Sequence, residues 1–235
     1  MNFLNYQFKK FFRSYTFIPP YITHIIWICI FYFYSNQNIL SSYAASAIIL
    51  FFISSWITFI IFDLEGNNEK HLLFIQLNSK IKFLNLKIFF SFISSIPLII
   101  ISFLFPIVTY RFSEAITFRY AFLSIYLHIV VVILGVILGS LIRIQTILSR
   151  KYSWLLLVLL TLLSIIKFIL VNNQHILKYV LIIVPSVGEF LNYFNQPIAK
   201  LWCFDFLILN TNIAVYIVIT PVSYTHLTLP TIYSV

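Results

Sequence analysis

Charge is what this sequence has least of. Only 9% of its 235 residues are Asp, Glu, Lys or Arg, and just 6 are acidic, where a soluble domain carries about 25% charged residues. That excludes a water-facing surface wrapped around a small core. Glycine is nearly as scarce, with Gly66, Gly135, Gly139 and Gly188 the four in the chain. No two have the Gly-x-x-x-x-Gly-Lys-Ser/Thr spacing that cradles nucleotide phosphates, so a Walker-type ATP site is excluded. The two cysteines, Cys29 and Cys203, form no CxxC or Cys/His ligand set and fall in apolar runs, where they read as inert thiols. His-Glu-x-x-His, Gly-x-Ser-x-Gly and paired acids within an apolar run are also missing. The chain does not read as an enzyme, and no cofactor or metal is expected.

What is there is apolar and aromatic. Hydrophobic residues make up 61% of the chain, with 26 Phe and 15 Tyr, and they come in runs of about 20, the length an α-helix needs to cross a bilayer. The expected fold is all-α, a polytopic helical membrane protein of about six spans. These fall at residues 17–34, 42–62, 88–110, 118–141, 154–171 and 201–220, the third interrupted by Pro97 and Pro106. Ahead of them, MNFLNYQFKKFFRSYTF mixes Phe and Leu with Lys9, Lys10 and Arg13, which suits a helix on the membrane surface with its basic face toward anionic lipid. Residues 180–194, broken by Pro185 and Gly188, are too short to span and read as a re-entrant outer segment.

Basic residues outnumber acids 15 to 6, for a net charge of +9. On a soluble protein this would point to nucleic acid. Here the cations sit between apolar runs, where they orient the chain and call for no nucleic-acid partner. With the N-terminus inside, Lys9, Lys10, Arg13, Lys70, Lys80, Lys82, Lys87, Arg143, Arg150 and Lys151 are cytoplasmic. Arg111, Arg119, Lys167, Lys178 and Lys200 are outside, Lys167 close enough to a helix end to snorkel outward. The excess inside predicts a cytoplasmic N-terminus.

A few side chains stand out within the apolar runs. Gly135 and Gly139 are four apart, which lets helix backbones approach closely, either inside the bundle or at a dimer interface. His128 and His24 lie in spans and Glu189 in the broken segment; with insertion of polar groups costly, His128 and Glu189 are candidates for an intramembrane polar site. Hydrogen bonding to a neighbouring helix for the histidines, and solvation for Glu189, are the alternatives.

The loop at residues 63–87 carries the most information. Asp63, Glu65 and Glu69 come first, then an apolar helix-like run with Leu72, Leu73 and Ile75, then Lys80, Lys82 and Lys87 at the next span. An amphipathic helix held between two spans suits docking of a soluble partner; a solvated connector would explain the charges but not the Leu-Leu-Phe run. In this loop the chain resembles the membrane subunit of type-2 class ABC exporters. In that family a basic N-terminal helix and two spans precede an intracellular loop, in which an acid-containing stretch leads to a Leu-rich helix, a short turn and a Lys opening the third span. The corresponding elements are Glu65 and Glu69, HLLFIQ at 71–76, LNSK at 77–80, and Lys87. Leu77 and Asn78 stand where the family usually has a Pro. The broken segment matches the re-entrant hairpin before the family's last span.

The resemblance implies a bacterial plasma-membrane permease, paired with itself or a sibling in the bilayer and driven by a separate ABC ATPase subunit at the 63–87 loop. The aromatic content suits a lipid-like or amphipathic peptide cargo. A non-transport membrane protein of the sensor or immunity type, with no ATPase, is the second reading. At the other end, VSYTHLTLPT at 222–231 resembles translated sequencing-adapter read-through. That implies a non-native tail at 222–235 and no selection on how those side chains pack.

Overall fold

The structure, a computed structural model, describes residues 3–144, 149–173, 181, 184–196 and 204–227. Among the described residues the chain is helical, with no strand beyond one isolated bridge between Gln37 and Phe112. Helix α1 is Phe3–Arg13, α2 Ile18–Phe31, α3 Ile39–Asp63, α4 Asn67–Leu77, α5 Lys80–Val108, α6 Phe118–Ile144, α7 Arg150–Asn173, α8 Val187–Phe194 and α9 Phe204–Leu227. Four of these, α3, α5, α6 and α7, are long and apolar enough to cross a membrane. A fifth follows if α1 and α2, which meet at a 74° bend, count as one broken span. The protein is a polytopic helical membrane protein.

The expected spans and the observed helices differ at the first and last. Helix α2 has 14 residues, about 21 Å at 1.5 Å per residue, short of a hydrocarbon core about 30 Å thick. In α9 the apolar stretch found among the described residues is Phe206–Ile217. Its helical backbone continues through Leu227. Residues 228–235 lie outside the described residues, as do Cys203 and parts of the expected segments 180–194 and 201–220. The prolines of the third span do not interrupt it: α5 runs 29 residues through both Pro97 and Pro106. A membrane helix packed among others tolerates proline because its neighbours supply donors to its backbone. One residue beyond the carbonyls that the two prolines leave without a helical donor, Ser94 O accepts from the Tyr21 hydroxyl and Phe103 O from that of Tyr43 at 2.9 Å.

Helix α3 is the centre and α7 the edge. Of the apolar window of α3, 67% is buried inside the protein, against 17% for α7. Small residues make that burial possible. Ser42, Ser46, Ser54, Ser55 and Thr58 of α3 are buried, and each hydroxyl donates back to a carbonyl of its own helix at 2.7–3.0 Å. Ser91, Ser94 and Ser95 do the same in α5. Self-satisfied hydroxyls pack like small apolar groups and let helices come close.

Gly135 and Gly139 of α6 take up that close approach. A Cβ on Gly135 would lie 2.7 Å from Phe51 O, and one on Gly139 3.0 Å from Thr58 Cβ. Both glycines therefore face α3 of the same chain. At the end of the bundle away from α4, α7 holds the broken segment. Ser164 Oγ donates to Pro185 O at 2.7 Å, and Lys167 Nζ to Val184 O at 2.6 Å. The backbone of Ile165 lies so close to Gly188 that a Cβ there would be 2.8 Å from its carbonyl carbon. Helix α8 then buries Val187, Phe190, Leu191 and Phe194.

Candidate functional site

Short links fix α4 between two long helices: residues 64–66 join it to α3, and residues 78–79 join it to α5. The Glu69 carboxylate accepts from the Gly66 backbone N–H at 3.1 Å, closing the first turn of α4. At its other end Asn78 adopts a left-handed conformation, φ 53°, which an Asn tolerates better than most residues. Ser79 then caps α5, its Oγ accepting from Lys82 N at 3.3 Å. Both ends of α4 are thus set by local sequence.

The two faces of α4 differ. Leu73 is turned inward at 9% exposure, and Phe74 packs edge-on against Phe83 of α5 with ring centroids 4.9 Å apart. Leu72 and Ile75 point away, 67% and 73% exposed, with His71 and Gln76 exposed on the same stretch. The sequence grouped Leu72, Leu73 and Ile75 as one apolar run; the structure splits them, because three residues on a 3.6-residue helix at 72, 73 and 75 cannot share one face.

Three ion pairs tie the stretch from the end of α3 to the first turn of α4 to other helices. Arg143 of α6 pairs with Asp63, its Nε donating to Oδ1 at 2.9 Å. Lys87 of α5 pairs with Glu65, and both side chains are wholly buried. Lys10 of α1 pairs with Glu69 in a more open setting. The hydrogen bond from Lys10, together with the Gly66 N–H, holds the Glu69 carboxyl below the usual carboxylate range. Half-burial pulls the Lys70 ammonium down. Every acid of the 63–69 stretch therefore has a cation within the chain. Of the cations that follow, Lys80 sits over the Phe74 ring at 6.0 Å, and Lys82 is exposed.

Helix α1 reaches this site by its apolar stripe. Phe8 and Phe11 meet Phe90 edge-on at 4.9 and 5.8 Å, and Phe3 meets Phe83 at 5.6 Å. The stripe thus packs on α5, while Lys9, Phe12 and Arg13 stay exposed. Gln7 sits within it, buried, and donates from Nε2 to Glu65 Oε1 at 2.6 Å. Sequence reasoning missed Gln7. The signal was present: Leu4, Gln7, Phe8 and Phe11 follow an i, i+3, i+4, i+7 pattern with one polar member.

The remaining candidates lie elsewhere. His128 is buried in α6, with Nδ1 2.7 Å from Ser124 O and Nε2 3.5 Å from Ser46 Oγ of α3. His24 of α2 is buried too, its Nε2 2.9 Å from Ser102 Oγ of α5. Each histidine has its nearest polar partners on bundle helices. Glu189, partly buried on α8, lies within electrostatic reach of Lys167. A cleft of about 240 Å³ opens at the end away from α4, between the starts of α3 and α6 and the end of α8. Asn38, Ser41, Tyr120, Asn195 and Gln196 supply its polar lining, with no charged side chain. Among the described residues no group of three or more His, Cys, Asp or Glu could hold a metal ion.

No protein-family model matches the chain, and no curated protein or solved structure matches it either.

Proposed function

We propose that this chain is the permease subunit of an ATP-driven ABC exporter, with α4 as the helix that receives a separate ATPase subunit. One observation carries the reading. Helix α4 lies between two long apolar helices with both ends capped, its inward side packed through Leu73 and Phe74, the link before it tied down by the buried Glu65–Lys87 pair, and its outward side presenting Leu72 and Ile75. A connector would have no need of exposed apolar residues on a capped helix. The bent α1–α2 entry and the excess of cations at this end support the same layout, with α4 and the N-terminus cytoplasmic in a bacterial plasma membrane. A second copy or a sibling permease completes the transporter.

In this reading, ATP-driven closure of the ATPases displaces α4, and α3 and α5 follow because the links to them are two or three residues long. The acids of the 63–69 stretch are committed within the chain, so the contact with the ATPase is apolar, flanked by Lys80 and Lys82. That chemistry fits an apolar groove with an acidic rim. The experiment is co-expression with a candidate ABC ATPase from the same genome. Leu72→Asp should abolish co-purification with insertion unchanged, and Glu114→Ala, far from α4 in sequence and fold, should leave it intact. Full retention of the ATPase by Leu72→Asp and by Ile75→Asp would remove α4 as the docking element.

A further inference from the structure

Each ion pair of the α4 end ties the α3–α4 stretch to a different helix: Asp63 to α6, Glu65 to α5 and Glu69 to α1. They differ in exposure. The Lys10–Glu69 side chains are 22% and 50% exposed, whereas those of Lys87 and Glu65 are at 0%. Water screens an exposed pair, which therefore holds little. Removing one partner of a buried pair leaves a charge with no compensation, and the surrounding structure must open to wet it.

The buried pair is also the most connected. Lys87 Nζ donates to Ile61 O at 2.9 Å as well as to Glu65, and the Phe62 and Phe83 rings lie 5.1 and 5.2 Å away. These rings can stabilise an ammonium that water cannot reach. The second oxygen of Glu65 takes the hydrogen bond from Gln7. One carboxylate thus joins a residue of α1, the link into α4 and a residue of α5.

We infer that Gln7, Glu65 and Lys87 form a rigid joint that makes α1, α4 and the first turns of α5 one mechanical body. A push on α4 then moves α1 and α5 together instead of bending the α3–α4 link. The joint is a property of this chain alone; only its use in transport rests on the exporter reading.

Hydrogen exchange on the full chain in lipid nanodiscs, without any ATPase, tests it. In the unmodified protein, amides of α1, α4 and residues 80–90 should open as one unit with a shared protection factor. Lys87→Met should speed exchange in all three by a common factor of about 100 or more, the scale of a stranded buried charge. Lys10→Ala, at the exposed pair, should change them by no more than about three-fold. If α4 exchanges independently of α1 in the unmodified protein, the joint does not exist, and this holds whether or not Lys87→Met inserts. Acceleration confined to the turn of α5 around Lys87→Met overturns it as well. Neither result touches the ATPase reading, and loss of ATPase binding in Leu72→Asp would not touch the joint.

Discussion

Leu72 and Leu73 are neighbours in the chain and opposites in the fold, the first 67% exposed and the second 9%. One residue step, about 100° around α4, separates an exposed leucine from the one that holds the helix in place.

That division predicts different outcomes for the same substitution. Leu73→Asp buries a carboxylate against α5 and should destabilise the chain by about 3 kcal/mol or more. Leu72→Asp should stay within about 0.5 kcal/mol of the unmodified protein. Thermal unfolding of the two purified variants in the same detergent reads the difference. Equal midpoints would mean that α4 is not held by the face described.

The glycines of α6 should report on the bundle and not on a dimer. A side chain at Gly139 meets Thr58 Cβ at 3.0 Å and the Ser55 backbone more closely still. Gly139→Val should therefore cost about 1–3 kcal/mol through overpacking against α3, with the oligomeric state unchanged. Light scattering alongside the melting curve checks both. A variant with full stability and a lost dimer would place these glycines between chains.

The pair between Lys10 and Glu69 should make a small, acid-sensitive contribution. The Glu69 carboxyl is held below its usual value of 4.5, so its stabilisation is complete above that pH and fades as the pH falls through the lower folded value. With Glu69 half exposed, the contribution is at most about 1 kcal/mol. Melts at about pH 7 and about pH 3 should show Glu69→Gln below the unmodified protein at the first, and by less at the second. A gap that widens in acid would contradict the assignment.

Much of the architecture was legible because bilayer crossing is written in run length. The start of α6 at Phe118 agrees with the expected span, and the α3 and α7 spans lie inside their observed helices. Helix faces were less legible. The pattern at residues 63–76 gave a helix and three acids but not which way each pointed, since Asp63, Glu65 and Glu69 find their cations 80, 22 and 59 positions away. Pro97 and Pro106 looked like interruptions because proline breaks isolated helices, yet α5 runs through both. His128 and Glu189 stood out only as polar residues in apolar surroundings, and the sequence held no sign that His128 lies between Ser124 and Ser46.

Orientation can be read by labelling. In a Cys29→Ser, Cys203→Ala background, Gln76→Cys on the exposed face of α4 should react only with reagents supplied to the cytoplasmic side. Glu114→Cys, in the link between α5 and α6, should react only from outside. The reverse pattern would invert the topology and remove α4 from any cytoplasmic partner.

The most direct test of the exporter reading is ATP turnover in proteoliposomes that hold this chain and a candidate ABC ATPase from the same genome. The account predicts that the chain changes the ATPase rate, that Leu72→Asp with Ile75→Asp returns it to that of the ATPase alone, and that Glu114→Ala behaves as unmodified. An ATPase rate indifferent to the chain, or one still changed in full by the doubly substituted α4, would contradict it.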